Sequence, residues 1–223
     1  MALVTAPAPT ARLGEVDPWP LWARLVQLLV GLVMYGVSAA LLVRSDLGLD
    51  PWDVFHQGLS RQTGLSIGTW VIIVGVAVLL LWIPLRQRPG IGTLSNAVLI
   101  GLTMNVVLDR FPQPHAIGVR WACLVGGILL CGVATGAYIG AGLGPGPRDG
   151  LMVGLAKRGH SLRLMRTLIE ITVLLVGFVL GGTVGIGTLL FAVSIGPLAH
   201  LTIPWFSRVG RTETGPSHDR TGG

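Results

Sequence analysis

The chain has 223 residues, of which 51% are hydrophobic and 12% charged, and its mean hydropathy is +0.71. A soluble globular chain carries about 25% charged residues, so most of this surface faces something other than water. The net charge of +6 would raise nucleic-acid binding in a soluble protein, but here the basic residues gather at the ends of apolar runs, which excludes that reading.

Residues 1–20 are rich in Pro and Ala and read as a flexible tail, with no cleavable signal sequence ahead of the first apolar run. Six apolar runs then follow, near 22–43, 67–85, 91–109, 119–141, 165–182 and 184–206. Each has roughly the 20 residues that a helix needs to cross about 30 Å of hydrocarbon. The runs are continuous rather than alternating, which predicts helices and not a barrel. Residues 207–223 are polar and form a second tail, leaving 21–206 as one transmembrane domain. The glycines inside the runs (Gly31, Gly36, Gly126, Gly127, Gly132, Gly136 and Gly140) predict close helix packing. Cys123 and Cys131 share one apolar run and read as packing residues. Trp19, Trp22, Trp52, Trp70, Trp82, Trp121 and Trp205 lie near run ends, as an aromatic belt would.

Counting basic residues on alternate sides of six spans puts twelve on one side and four (Arg44, Arg61, Arg110 and Arg120) on the other. The basic excess marks the cytoplasmic side, so both termini are expected there.

An internal repeat carries more information than any single motif. Residues 47–60, LGLDPWDVFHQGLS, match 143–156, LGPGPRDGLMVGLA, as L-G-x-x-P-x-D-x4-G-L. Gly90-Ile91-Gly92-Thr93-Leu94 likewise matches Gly185-Ile186-Gly187-Thr188-Leu189. The chain reads as a tandem duplication, with repeats at about 22–110 and 119–206. Three spans per copy turn the second copy upside down, the inverted-topology plan of many secondary transporters.

Asp50-Pro51-Trp52-Asp53 has the order of a helix start, with Asp50 as cap, Pro51 first and Asp53 third; Gly146-Pro147-Arg148-Asp149 repeats it. The helix that follows each is too short to span, so each repeat is expected to hold a short amphipathic or re-entrant helix. Two readings stay open. Pro51, Asp53, Pro147 and Asp149 serve as caps alone, or the two helix starts face a shared cavity, with Arg148 adding charge to an anion-friendly site.

Glu170 is an acid well inside a run and a candidate for function, although Arg166 one turn earlier offers an ion pair. Asn96, Asn105 and His200 are expected to face the interior. Asn105 and His200 fall at matching places, which suggests either a shared central role or interhelical bonding. His56 is expected at the surface of the first short helix. Motifs of soluble hydrolases and nucleotide enzymes are absent from the sequence, and a carboxylate pair of Asp53 and Asp149 is the sole hint of catalysis. No enzyme activity, cofactor or metal is expected.

Leu47-Gly48 with Pro51-Trp52-Asp53-Val54-Phe55-His56, and Gly64-Leu65-Ser66-Ile67-Gly68-Thr69, resemble the YczE-like membrane proteins of bacteria, relatives of the YyaS and YitT group. Gly144-Pro145-Gly146-Pro147-Arg148-Asp149 and Val184-Gly185-Ile186-Gly187-Thr188 carry the same likeness in the second half. It covers about 22–206 and implies a multi-pass protein of the bacterial cytoplasmic membrane, with no site residues to carry over. The expected function is a small-solute transporter or permease. The rival is a membrane accessory or scaffold protein that supports a biosynthetic or export system. The lipid bilayer and an unidentified small molecule or ion are the expected partners, with a homo-oligomer as an option and no nucleic acid.

Overall fold

Apolar runs in lipid must satisfy their backbone groups within themselves, and they do so as helices. The structure, a computed structural model, describes residues 20–159 and 161–207. These hold eight helices and no strand: α1 (Leu21–Ser45), α2 (Pro51–Thr63), α3 (Ile67–Trp82), α4 (Ile91–Arg110), α5 (Ile117–Gly140), α6 (Pro147–Ala156), α7 (Leu162–Val179) and α8 (Ile186–Phe206). The expected tails lie outside the described residues, apart from Pro20 and Ser207.

α1, α4, α5 and α8 are long and apolar enough to cross a membrane, and α2 with α3, bent by 114° at their junction, make a fifth candidate. The other two of the six expected spans differ for separate reasons. α3 has 16 residues, about 24 Å at 1.5 Å per residue, and α7 carries Arg163, Arg166 and Glu170 within its 18 residues.

Close contacts fix the helix directions. Gly31 of α1 lies against Ala134 and Tyr138 of α5, and Gly127 of α5 against Ser38 and Leu42 of α1, so the two run antiparallel. Gly36 meets Ile100 and Thr103, and Arg44 donates to the Leu108 carbonyl, so α4 runs parallel to α1. Gly132, Gly136 and Gly140 of α5 meet Leu198, Thr202 and Phe206 in turn, so α8 runs parallel to α5. The predicted small-residue packing holds for every glycine named above except Gly126, which faces open space. Cys123 and Cys131 are buried and free.

The halves exchange hydrogen bonds at matched positions. Arg24 donates to the carbonyls of Ala141 (2.9 Å) and Gly142 (2.8 Å) at the end of α5. Arg120 donates to those of Ser45 (2.7 Å) and Asp46 (2.6 Å) at the end of α1. The Gly92 amide donates to the Leu143 carbonyl (2.9 Å) and the Gly187 amide to the Leu47 carbonyl (2.7 Å). Each carbonyl precedes a glycine of positive φ, Gly48 at 119° and Gly144 at 121°. A side chain at Gly48 would meet the Thr188 hydroxyl at 2.7 Å, and one at Gly144 would meet the Thr93 hydroxyl at 2.8 Å. Glycine is therefore required twice over, for conformation and for space.

One matched pair of helices breaks the likeness. α3 and α4 run antiparallel in tight contact: a side-chain carbon at Gly68 would collide with the Gly101 carbonyl, and Gly75 lies against Ala97. The Asn105 carboxamide accepts from the Gly68 amide (3.0 Å) and reaches Thr69 (3.5 Å). α7 and α8 start 95 residues after α3 and α4, yet they stand apart. At the positions 95 later, Arg163 replaces Gly68 and Gly196 replaces Gly101, and both are exposed. Nothing lies within 4 Å of where a Gly196 side chain would begin.

Candidate functional site

The two short helices begin at the centre of the fold. Asp50 caps α2, its carboxylate accepting from the amides of Trp52 (2.8 Å) and Asp53 (3.0 Å), while Pro51 takes the first position, where no amide is needed. α6 opens with Gly146 as cap, Pro147 and then Arg148, and no side chain caps it. Both starts line one cavity of about 500 Å³. Asp50 is thus the one carboxylate of the two motifs that caps a helix, whereas Asp53 and Asp149 bond to His56 and Tyr138.

Arg148 joins the two starts. Its guanidinium lies 3.9 Å from one oxygen of Asp50 and 3.9 Å from one of Asp53, and 5.0 Å above the Trp52 ring. Planar guanidinium on an aromatic face is a favourable arrangement. The same Asp53 oxygen is 3.1 Å from Nδ1 of His56. The second Asp53 oxygen and Nε2 of His56 are buried without partners. His56 is 1% exposed, so the expected surface role is wrong. α2 packs against α3 and α7, and His56 lies on its inward side, bonded to Asp53 beside the Trp52 ring.

Asp149 accepts from the Tyr138 hydroxyl (2.9 Å), and the Tyr35 and Tyr138 rings meet edge to face at 6.1 Å. Asn96, Tyr35 and Tyr138 line the cavity with Asp149. On its α7 side, Arg166 donates to Glu170 (2.9 Å), so the available ion pair forms, and both residues line the cavity.

Asn105 and His200 are separated in role. Asn105 bonds α3 to α4, whereas His200 lines the cavity on the parted α8. The reason is the break in likeness between the helix pairs: one position closes a contact that the other half has open. The aromatic belt is corrected in part. Trp22 and Trp205 are exposed, but Trp52 and Trp82 are buried. Trp82 donates to the Pro147 carbonyl (3.1 Å) and packs on Gly150. Trp19 lies outside the described residues.

Sequence reasoning missed Asp50, Trp52, Tyr35, Tyr138 and His56 as parts of this centre. The tyrosines carry no local motif, and only the fold brings them to the short helices. The anion-friendly expectation also changes, because Asp50 already occupies the free amides at the start of α2 and Arg148 stands between two carboxylates.

The chain matches, over residues 22–204, the family described as a family of unknown function, DUF6198. It is 42% identical over 183 residues to an uncharacterized protein of Haemophilus influenzae, covering 82% of this chain and 84% of that one. It is 33% identical over 177 residues to the uncharacterized membrane protein YczE of Bacillus subtilis, covering 78% and 82%. The identity to the uncharacterized protein YyaS of the same organism is 27% over 186 residues, covering 80% and 92%. No solved structure matches significantly.

Proposed function

This membrane protein belongs to the DUF6198 family, and we propose that it is a small-solute transporter or permease of the bacterial cytoplasmic membrane. Two inverted repeats, each of three passes and one re-entrant helix, are its plan. Supporting this, α1 and α4 run one way and α5 and α8 the other, and the Arg24 and Arg120 bonds, like those of Gly92 and Gly187, pair equivalent atoms of the two halves. α3 and α7 return the chain between the parallel helices. The basic-residue count sets both termini in the cytoplasm.

The observation that carries the reading is the unequal treatment of matched helix pairs around one cavity. A repeat protein that transports by alternating access holds one side closed while the other is open, and exchanges them by rocking one part against another. Here α3 and α4 close one side, at Gly68 and Gly101, and α7 and α8 leave the other open. Arg166, Glu170 and His200 line the open side, near the cytoplasmic ends of α7 and α8.

The test uses a protein with Cys123 and Cys131 replaced by Ala and cysteines placed by Arg163→Cys and Gly196→Cys, the positions that match Gly68 and Gly101. In native membranes a short bifunctional thiol reagent is expected to cross-link them as α7 closes on α8. A single cysteine at Ala192, in the cavity, is expected to react with impermeant reagents from either face. A pair that never cross-links, with Ala192→Cys labelled from one face or neither, would leave a static protein and favour the accessory or scaffold role.

A further inference from the structure

We infer that the central site takes a small organic cation of the guanidinium or amine kind, an inference that rests on the transporter reading above and names its solute class. Four carboxylates gather at the centre: Asp50, Asp149 and Glu170 line the cavity, and Asp53 stands immediately behind Arg148. Two guanidiniums face them. Arg166 is matched by Glu170 at 2.9 Å, and Arg148 is shared between Asp50 and Asp53. His200 is the one histidine among the lining residues and stands on the open side. Asp149 has no cation within ion-pair distance among the described residues, and its partner is the neutral Tyr138 hydroxyl.

A carboxylate at the middle of a membrane is costly, and either a proton or a cation must match its charge. A bound anion would deepen the deficit, and a cation relieves it. Two further observations point to a cation. The second oxygen of Asp53, which stands outside the cavity lining, is buried without a partner, so the two carboxylates that share Arg148 hold more acceptor capacity than that one guanidinium fills. Arg148 also shows what the walls accept: a planar cation on the Trp52 ring with both carboxylate contacts at 3.9 Å, longer than a charge-assisted hydrogen bond. A second such locus lies at Asp149, beside the Tyr35 and Tyr138 rings, whose faces suit a cation as Trp52 does. The cavity of about 500 Å³ is within the range of small-molecule sites.

The experiment measures two properties of the intact protein. Thermal stability of the purified protein is followed with guanidinium and ethylammonium chlorides against sodium acetate and sodium sulfate. Transport currents are recorded from proteoliposomes on a solid-supported membrane after concentration jumps of the same salts. The cations are expected to stabilise the protein and drive current. Asp149→Asn is expected to weaken both by about ten- to a hundredfold in apparent affinity, the loss of one charged hydrogen-bond partner. Asp149→Glu restores the charge and is expected to recover part of the lost affinity that Asp149→Asn does not, which separates the charge from any folding defect. Stabilisation by cations that depends on Asp149 but brings no current would uphold the cation site and remove the transporter reading. Stabilisation or current from acetate or sulfate alone would overturn the cation site and leave transport standing. No response to any of the four salts would overturn the proposal.

Discussion

The α3–α4 and α7–α8 pairs occupy equivalent places in two copies of one plan, yet one is packed backbone to backbone and the other is parted. Gly68, Gly101 and Asn105 make the first; Arg163, Gly196 and His200 stand at the same places in the second. In lipid, helices attract one another through close packing and hydrogen bonds rather than through burial from water. Replacing the small residue by Arg and the bonded Asn by an unbonded His removes both. The contrast teaches that matched helix pairs in the two halves can keep their places in the chain while one of them loses the residues that make close contact.

The contrast breaks first at the tightest point. Gly68→Leu is expected to cost about 1–3 kcal/mol through overpacking, whereas Arg163→Leu at the matching place is expected to stay within about 0.5 kcal/mol. Reversible unfolding in detergent or bicelles compares them, and equal losses would mean that both pairs are closed in the membrane. A smaller effect is expected at the polar positions. Asn105→Ala should cost about 1 kcal/mol for its interhelical bonds, and His200→Ala should leave stability nearly unchanged while altering solute affinity. A comparable stability loss at His200 would show it bonding between helices as Asn105 does. The smallest effect sharpens the comparison further. Gly196→Ala fills open space and should stabilise α8 by roughly 0.5 kcal/mol, yet it should lower turnover if α8 must approach α7 as closely as α4 approaches α3.

Much of this was legible in the sequence where chemistry is local. The L-G-x-x-P-x-D repeat located both short helices because Pro at the first position and a carboxylate near free amides are properties of a few neighbouring residues. The Gly-Ile-Gly-Thr repeat marked matching places in the two halves, and those places are the starts of α4 and α8. What depends on distant segments was not legible. His56 on a 13-residue helix reads as a surface residue until α2 is seen packed into the fold with His56 beside Asp53 and Arg148. Trp52 and Trp82 sit near run ends like belt residues, but Trp52 is carried inward on α2 and Trp82, at the end of α3, is covered by the start of α6. The charge count was visible, but not that Arg148 reaches across to Asp50 and Asp53, since no local pattern links 50 with 148. The span count suffered in a similar way: the bend between α2 and α3 and the charges of α7 alter what crosses, whereas the long continuous apolar runs of α1, α4, α5 and α8 read the same in the sequence and in the fold.

The exchanged backbone bonds also bear on how the protein is made. The Leu47 carbonyl waits for the Gly187 amide, and the Gly92 amide waits for the Leu143 carbonyl. When the first four helices have left the ribosome, the inward-turning segment before α2 still lacks its partner, and it stays so until the start of α8 is synthesised. The first half must therefore wait in the membrane with polar backbone unpaired, which makes it a substrate for whatever shelters unfinished membrane proteins. A chain truncated before α8 keeps the Gly92–Leu143 bond but lacks the Leu47–Gly187 one, since its last helix is what secures the loop formed after its first.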